Sequence, residues 1–202
     1  MLFLILSTCF FFWHLMKNDK EMQITGFTKK EKVYLFFHAG FAYAITVVLC
    51  CRGKIWLAAY IGMMLSYVIM MAIMDYRKQL VYPMFFIIYL ILAEVVCVLE
   101  FSKFSISIIF IPIIFFIIHK MHLFQSGDIA IASVGTFAIF LITDFWYDRI
   151  LLTLFMLLIS GIYFICENLF RKNIRNVCQL KSPAPFSPAL LVGMEFVLLI
   201  CL

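Results

Sequence analysis

Residues 55–78 read IWLAAYIGMMLSYVIMMAIMDYRK: a run of twenty residues without a charged side chain, then an aspartate, a tyrosine and two basic residues. A surface helix of a soluble protein turns a charged face to water, and this run has none. Its length matches the roughly 20 apolar residues that a helix needs to cross a hydrocarbon layer. The stretch reads as a membrane span that ends on ionisable groups at a boundary.

Outward from it the same pattern recurs. Apolar runs occupy 1–16, 33–51, 55–74, 84–101, 104–118, 129–147, 150–166 and 187–202. The first and fifth are short, so seven spans is the alternative to eight. Of the 202 residues 66% are hydrophobic and 13% charged, and the mean hydropathy is +1.09, which excludes a water-soluble core. The expected fold is all-α: a single polytopic membrane bundle over residues 1–202, with about eight transmembrane helices. Pro83 suits the first turn of the fourth run, whereas Pro112 should kink the fifth. The 1–16 run lacks a basic leading region and a small-residue cleavage site, and Lys17 follows it, so it reads as a retained helix rather than a signal peptide.

Charge placement orients the spans. If eight spans alternate and the first residue faces outward, one side carries Lys17, Lys20, Lys29, Lys30, Lys32, Arg77, Lys78, Lys120, Arg171, Lys172, Arg175 and Lys181, which is twelve of the sixteen basic residues. The other side holds only Arg52, Lys54, Lys103 and Arg149. That asymmetry marks the first side as cytoplasmic, and removing one span would scramble it. The net charge of +5 is scattered over short loops, so no nucleic-acid partner is expected; the partner of most of the surface is the lipid bilayer. The seven cysteines form no C-x-x-C pair and read as packing residues rather than metal ligands.

Several ionisable residues have unremarkable readings. Glu94 and Glu195 fall within spans, where such a group is costly and usually faces the bundle interior. Asp144, Asp148 and Glu167 lie near run ends, in solvated or paired roles. His119 and His122 are three apart, a spacing that permits a metal but does not require one; they read as interfacial. His14 and His38 are isolated in apolar runs and read as packed or interfacial. The polar stretches 17–32 and 167–181 are too short to fold alone.

Two aspartates stand apart. Asp75 closes the third run, Asp128 opens the sixth in Gln125-Ser126-Gly127-Asp128-Ile129-Ala130, and both fall on the cytoplasmic side. Gly127 allows a close or positive-φ backbone beside Asp128. Further on, Pro185-Phe186-Ser187-Pro188-Ala189-Leu190 leads to Gly193 in the last run. In this order the three stretches resemble the type IV prepilin peptidases, membrane aspartic peptidases of the G-x-G-D kind. Asp75 with Gln79 and Val81 resembles the family's first aspartate motif, Ser126-Gly127-Asp128 its second, and Pro185 to Pro188 its terminal Pro-Phe-Gly-Pro segment. The chain departs at Tyr82, where the family has Pro, at Gln125, where it has Gly, and at Ala130, where many members have Lys.

The resemblance implies catalytic roles for Asp75 and Asp128, with Ser126, Gly127, Gln79, Pro185 and Pro188 as motif and candidate substrate-contacting residues. It implies no metal and no cofactor. The implied substrate is a pilin or pseudopilin precursor, cut at the boundary of a bacterial cytoplasmic (inner) membrane. The loop 17–32 has no cysteine and no room for the methyltransferase domain of longer members, so the resemblance is to the short, peptidase-only form. Two nearby carboxyls resist joint ionisation and share a proton, which equips one to activate water and the other to hydrogen-bond the scissile carbonyl. Helix dipoles favour charge on Asp128, at a helix start, over Asp75, at a helix end, so Asp128 is expected as the initial base and Asp75 as the acid. The rival readings are a non-catalytic permease, immunity or assembly protein, and another G-x-G-D intramembrane peptidase of the presenilin-like group. The latter is weakened by Tyr76, which follows Asp75 where that group has Tyr before its Asp.

Overall fold

The computed structural model describes residues 26–78, 86–101, 126–178 and 186–202, with single positions at Phe10, Trp13, Lys17, Ile111, Ile113, Ile114, Ile117 and Lys120. The fold is all-α. Among the described residues six helices follow in order: α1 Lys29–Cys51, α2 Ile55–Lys78, α3 Phe86–Phe101, α4 Ser126–Ile142, α5 Trp146–Cys178 and α6 Ser187–Cys201. Three of them, over Lys29–Cys51, Ile55–Arg77 and Trp146–Phe170, are long and apolar enough to cross a membrane. Apart from a few single positions, the expected spans at 1–16 and 104–118 lie outside the described residues.

The uncharged stretch 55–74 forms the centre of the bundle. α2 packs against α1, α3, α4 and α6, and 89% of its apolar window is buried, against 11% for α5. A helix covered on every side has no use for a polar face. Tyr60, Met64, Tyr67, Met70, Met71 and Met74 are all buried, the flexible thioethers filling irregular gaps between helices. The Tyr89 hydroxyl of α3 donates to the Met63 carbonyl at 2.9 Å. α5 presents Leu151, Leu154, Leu158, Ile162 and Ile165 outward, an apolar face suited to lipid rather than water.

Local chemistry sets the helix limits. At the start of α1, the Thr28 side chain accepts from the Glu31 amide at 3.3 Å while the Glu31 carboxylate accepts from the Thr28 amide at 2.8 Å, a reciprocal cap on two orphan donors. The chain reverses between α1 and α2 at Gly53, whose φ of 77° is a conformation that residues with a Cβ rarely adopt. α4 stops at Ile142, short of the expected 147. The Arg149 guanidinium binds the Thr143 carbonyl at 2.9 Å and the Thr143 hydroxyl donates to Ile139 O, so the carbonyl end of α4 is satisfied by the start of the next helix. Trp146 and Tyr147 consequently open α5. In the other direction, α5 runs on to Cys178, past the expected end at 166. Initiating a helix is the costly step and extending it is not; Glu, Lys and Arg extend one readily.

Small residues bring the helices close. A Cβ at Gly193 of α6 would overlap Met156 O and Ser160 Oγ of α5, and one at Gly135 of α4 would overlap the Met194 side chain of α6. Van der Waals contact of this kind drives association where lipid is as apolar as the side chains.

Candidate active site

Three helix ends, far apart in sequence, meet at one end of the bundle: the last turn of α2 with Asp75, the first turn of α4 with Asp128, and the start of α6 with Ser187. The Ser187 amide donates to Asp75 Oδ2 at 3.0 Å. Its hydroxyl donates to Asp128 Oδ1 at 3.3 Å. Both aspartates are buried, at 6% and 9% exposure, and Ser187 is wholly buried. The two carboxyl groups singled out from the sequence thus share one hydrogen-bonding residue.

The α6 start explains why Asp75 sits there. The first amides of a helix have no partner within it, and the N-cap residue, Phe186, makes no side-chain cap. Asp75 supplies the missing acceptor from a different helix. Pro188, next along, has no amide hydrogen to satisfy and suits a helix start. Phe186 is steadied edge-on against Phe164 of α5, with ring centroids 5.2 Å apart.

This arrangement corrects one expectation. Asp75 belongs to the C-terminal turn of its own helix, but its carboxyl group faces the positive N-terminus of α6. Asp128 lies in the first turn of α4. Both carboxyls therefore face a helix start, which offsets the negative end of α2 at Asp75 and weakens the dipole contrast that distinguished a base from an acid.

Of the other predicted positions, Ser126 and Gly127 open α4 directly before Asp128, and Pro188 is the second residue of α6. Gln79 and Pro185 lie outside the described residues, as do His119 and His122. Ser187 is the residue that sequence reasoning passed over. The signal was present, since it stands where the resembled motif has glycine and brings a hydroxyl that glycine lacks. Among the described residues, no three His, Cys, Asp or Glu side chains gather closely enough to hold a metal ion.

A cavity of about 180 Å³ opens at the same end of the bundle, with neither aspartate in its lining. Ile73 and Tyr76 from the Asp75 turn and Pro188 from the Ser187 turn line it, with Tyr34 of α1 and Tyr163 and Glu167 of α5 opposite. Glu31 forms part of the wall and pairs with Arg77, which also donates to the Gly26 carbonyl at 2.6 Å. This ion pair ties the start of α1 to the end of α2. The buried Tyr34 hydroxyl finds no hydrogen-bond partner among the described residues.

Deeper in the bundle, His38 Nδ1 of α1 lies 2.7 Å from Glu195 Oε2 of α6, and both residues are buried. His38, which looked isolated in the sequence, is half of an interhelical pair. Its ring also lies tilted against that of Tyr34, with centroids 4.1 Å apart. The pair fastens α1 to the helix that carries Ser187 about two turns above. Comparison of the chain with known protein families, curated proteins and solved structures gives no match.

Proposed function

We propose that this chain is a multi-pass membrane aspartic endopeptidase that removes the leader of pilin-like precursors at the cytoplasmic boundary of a bacterial inner membrane. The observation that carries this reading is the convergence of Asp75 and Asp128 on Ser187. Two carboxyls within reach of one small residue form the minimum apparatus for activating water and polarising an amide without a metal. One carboxylate takes a proton from the attacking water. The other, protonated, donates to the scissile carbonyl oxygen; on collapse the first carboxyl gives its proton to the leaving amine and the second recovers one from the tetrahedral hydroxyl. Their burial at a bundle end suits a bond lying at the edge of a membrane helix, and the cavity at the same end offers room for another side chain of the substrate.

The order of the helices and their flanking charges support the eight-span layout. α3 lies along α2 with Tyr89 beside Tyr67 and Met63, and α4 begins beside the aspartate cluster. In that layout the span expected at 104–118 would connect α3 to α4. Lys29, Lys30, Lys32, Arg77 and Lys78 flank the aspartate end, while Arg52, Lys54 and Arg149 flank the other. By the positive-inside rule the aspartates face the cytoplasm.

The test is co-expression with candidate precursors from the same genome, with leader loss read as a mass shift. Wild type should shorten a cognate precursor; Asp75→Asn and Asp128→Asn should reach the membrane at normal levels and leave it intact. Normal processing by either variant would remove the aspartic mechanism.

A further inference from the structure

We propose that the Ser187 hydroxyl is a positioning group that holds the Asp128 carboxyl in register with Asp75; the inference rests on the peptidase reading for its catalytic consequence and on geometry alone for its structural one. Ser187 addresses the two aspartates through different atoms, its amide to Asp75 and its hydroxyl to Asp128. The amide belongs to the backbone of a helix start fixed by Pro188 and by the Phe186 contact with Phe164. One rigid residue thereby references both carboxyls to each other. Any residue other than proline would keep the amide contact. Only a side chain with a donor keeps the second, and the glycine of the resembled motif has none. The site is fully buried at Ser187, so water does not readily replace the lost donor. Without that donor the Asp128 carboxyl loses one of the contacts that fix its rotamer, and near-attack geometry is sensitive to such a loss.

The residue acts through Asp128, so its loss should lower turnover rather than substrate binding. Ser187→Ala and Ser187→Gly both delete the hydroxyl and keep the amide. With a cognate precursor, kcat should fall about tenfold, the worth of one buried hydrogen bond, with KM unchanged. Independently of activity, water-soluble carbodiimide applied to the whole purified protein, followed by peptide mass mapping, reports on each carboxyl separately. The rate of labelling at Asp128 should rise several-fold in both variants while that at Asp75 stays at the wild-type value, because its amide donor remains. Unchanged Asp128 labelling would overturn the proposal, as would equal rises at both aspartates, which would mark general loosening of the bundle. If wild type cleaves no precursor, the peptidase reading fails and the labelling still decides the role of Ser187. If wild type cleaves and both Ser187 variants match its kcat, the reading survives and this inference does not.

Discussion

Replacing His38 with leucine would leave the Glu195 carboxyl buried with nothing to bond. Glu195 is 5% exposed, its Oε2 contacts His38, and its Oε1 already has no hydrogen-bond partner among the described residues. Breaking a buried ion pair in a water-soluble protein costs about 3–5 kcal/mol. In a bilayer the unfolded but inserted helices also find partners, and interhelical hydrogen bonds average about 0.6 kcal/mol. A carboxyl stripped of its one strong contact belongs between these limits, near 2 kcal/mol, or about a thirtyfold shift in the folding equilibrium. Glu195→Leu alone should cost a similar amount by stranding the imidazole. The double variant should recover most of the loss, since two apolar side chains replace a pair whose desolvation had offset much of its attraction. Reversible unfolding in mixed micelles, followed by SDS titration, gives the four free energies of the cycle. A single variant within about 0.5 kcal/mol of wild type, or a double variant as unstable as the sum of the singles, would refute the claim that these groups stabilise the bundle as a couple.

Other expectations follow from single contacts. Asp75→Asn and Asp128→Asn should abolish leader removal while lowering thermal stability little, because an amide oxygen can still accept from Ser187; a precursor mass shift together with a melting scan checks both halves. Gly193→Ala places a methyl group on the Met156 carbonyl and the Ser160 hydroxyl, and should destabilise by about 1–3 kcal/mol, read in the same micelle titration. Tyr34→Phe runs against the usual sign: it removes a buried hydroxyl that has no hydrogen-bond partner among the described residues, so stability should hold or rise by up to about 1 kcal/mol. If the cavity seats part of the substrate, KM for the precursor should rise in that variant, and the two readouts separate a binding role from a structural one.

The α2 span could be read from the sequence because burial on every face and immersion in lipid impose the same demand, an uncharged helix of fixed length. The two aspartates were legible for the opposite reason, as charges where charge is expensive. What the sequence hid depends on partners distant along the chain. His38 and Glu195 are separated by 157 positions, and neither run shows that their faces meet. Asp75 looked like a residue at a negative helix end because a sequence displays its own helix and not the one it caps. The extension of α5 was missed because hydropathy marks where a helix leaves the apolar layer, not where it stops being a helix.

The length of α5 has a geometric consequence. At about 1.5 Å per residue its 33 residues reach about 50 Å, whereas the hydrocarbon layer is about 30 Å thick. The apolar part, Trp146–Phe170, fills that thickness with some tilt, and the turns bearing Arg171, Lys172 and Arg175 stand clear of it. The helix thus continues past its apolar segment at the end of the bundle where Asp75 and Asp128 converge. Because one continuous helix spans both regions, the height of that extension above the apolar segment is fixed by helix geometry rather than by a flexible joint.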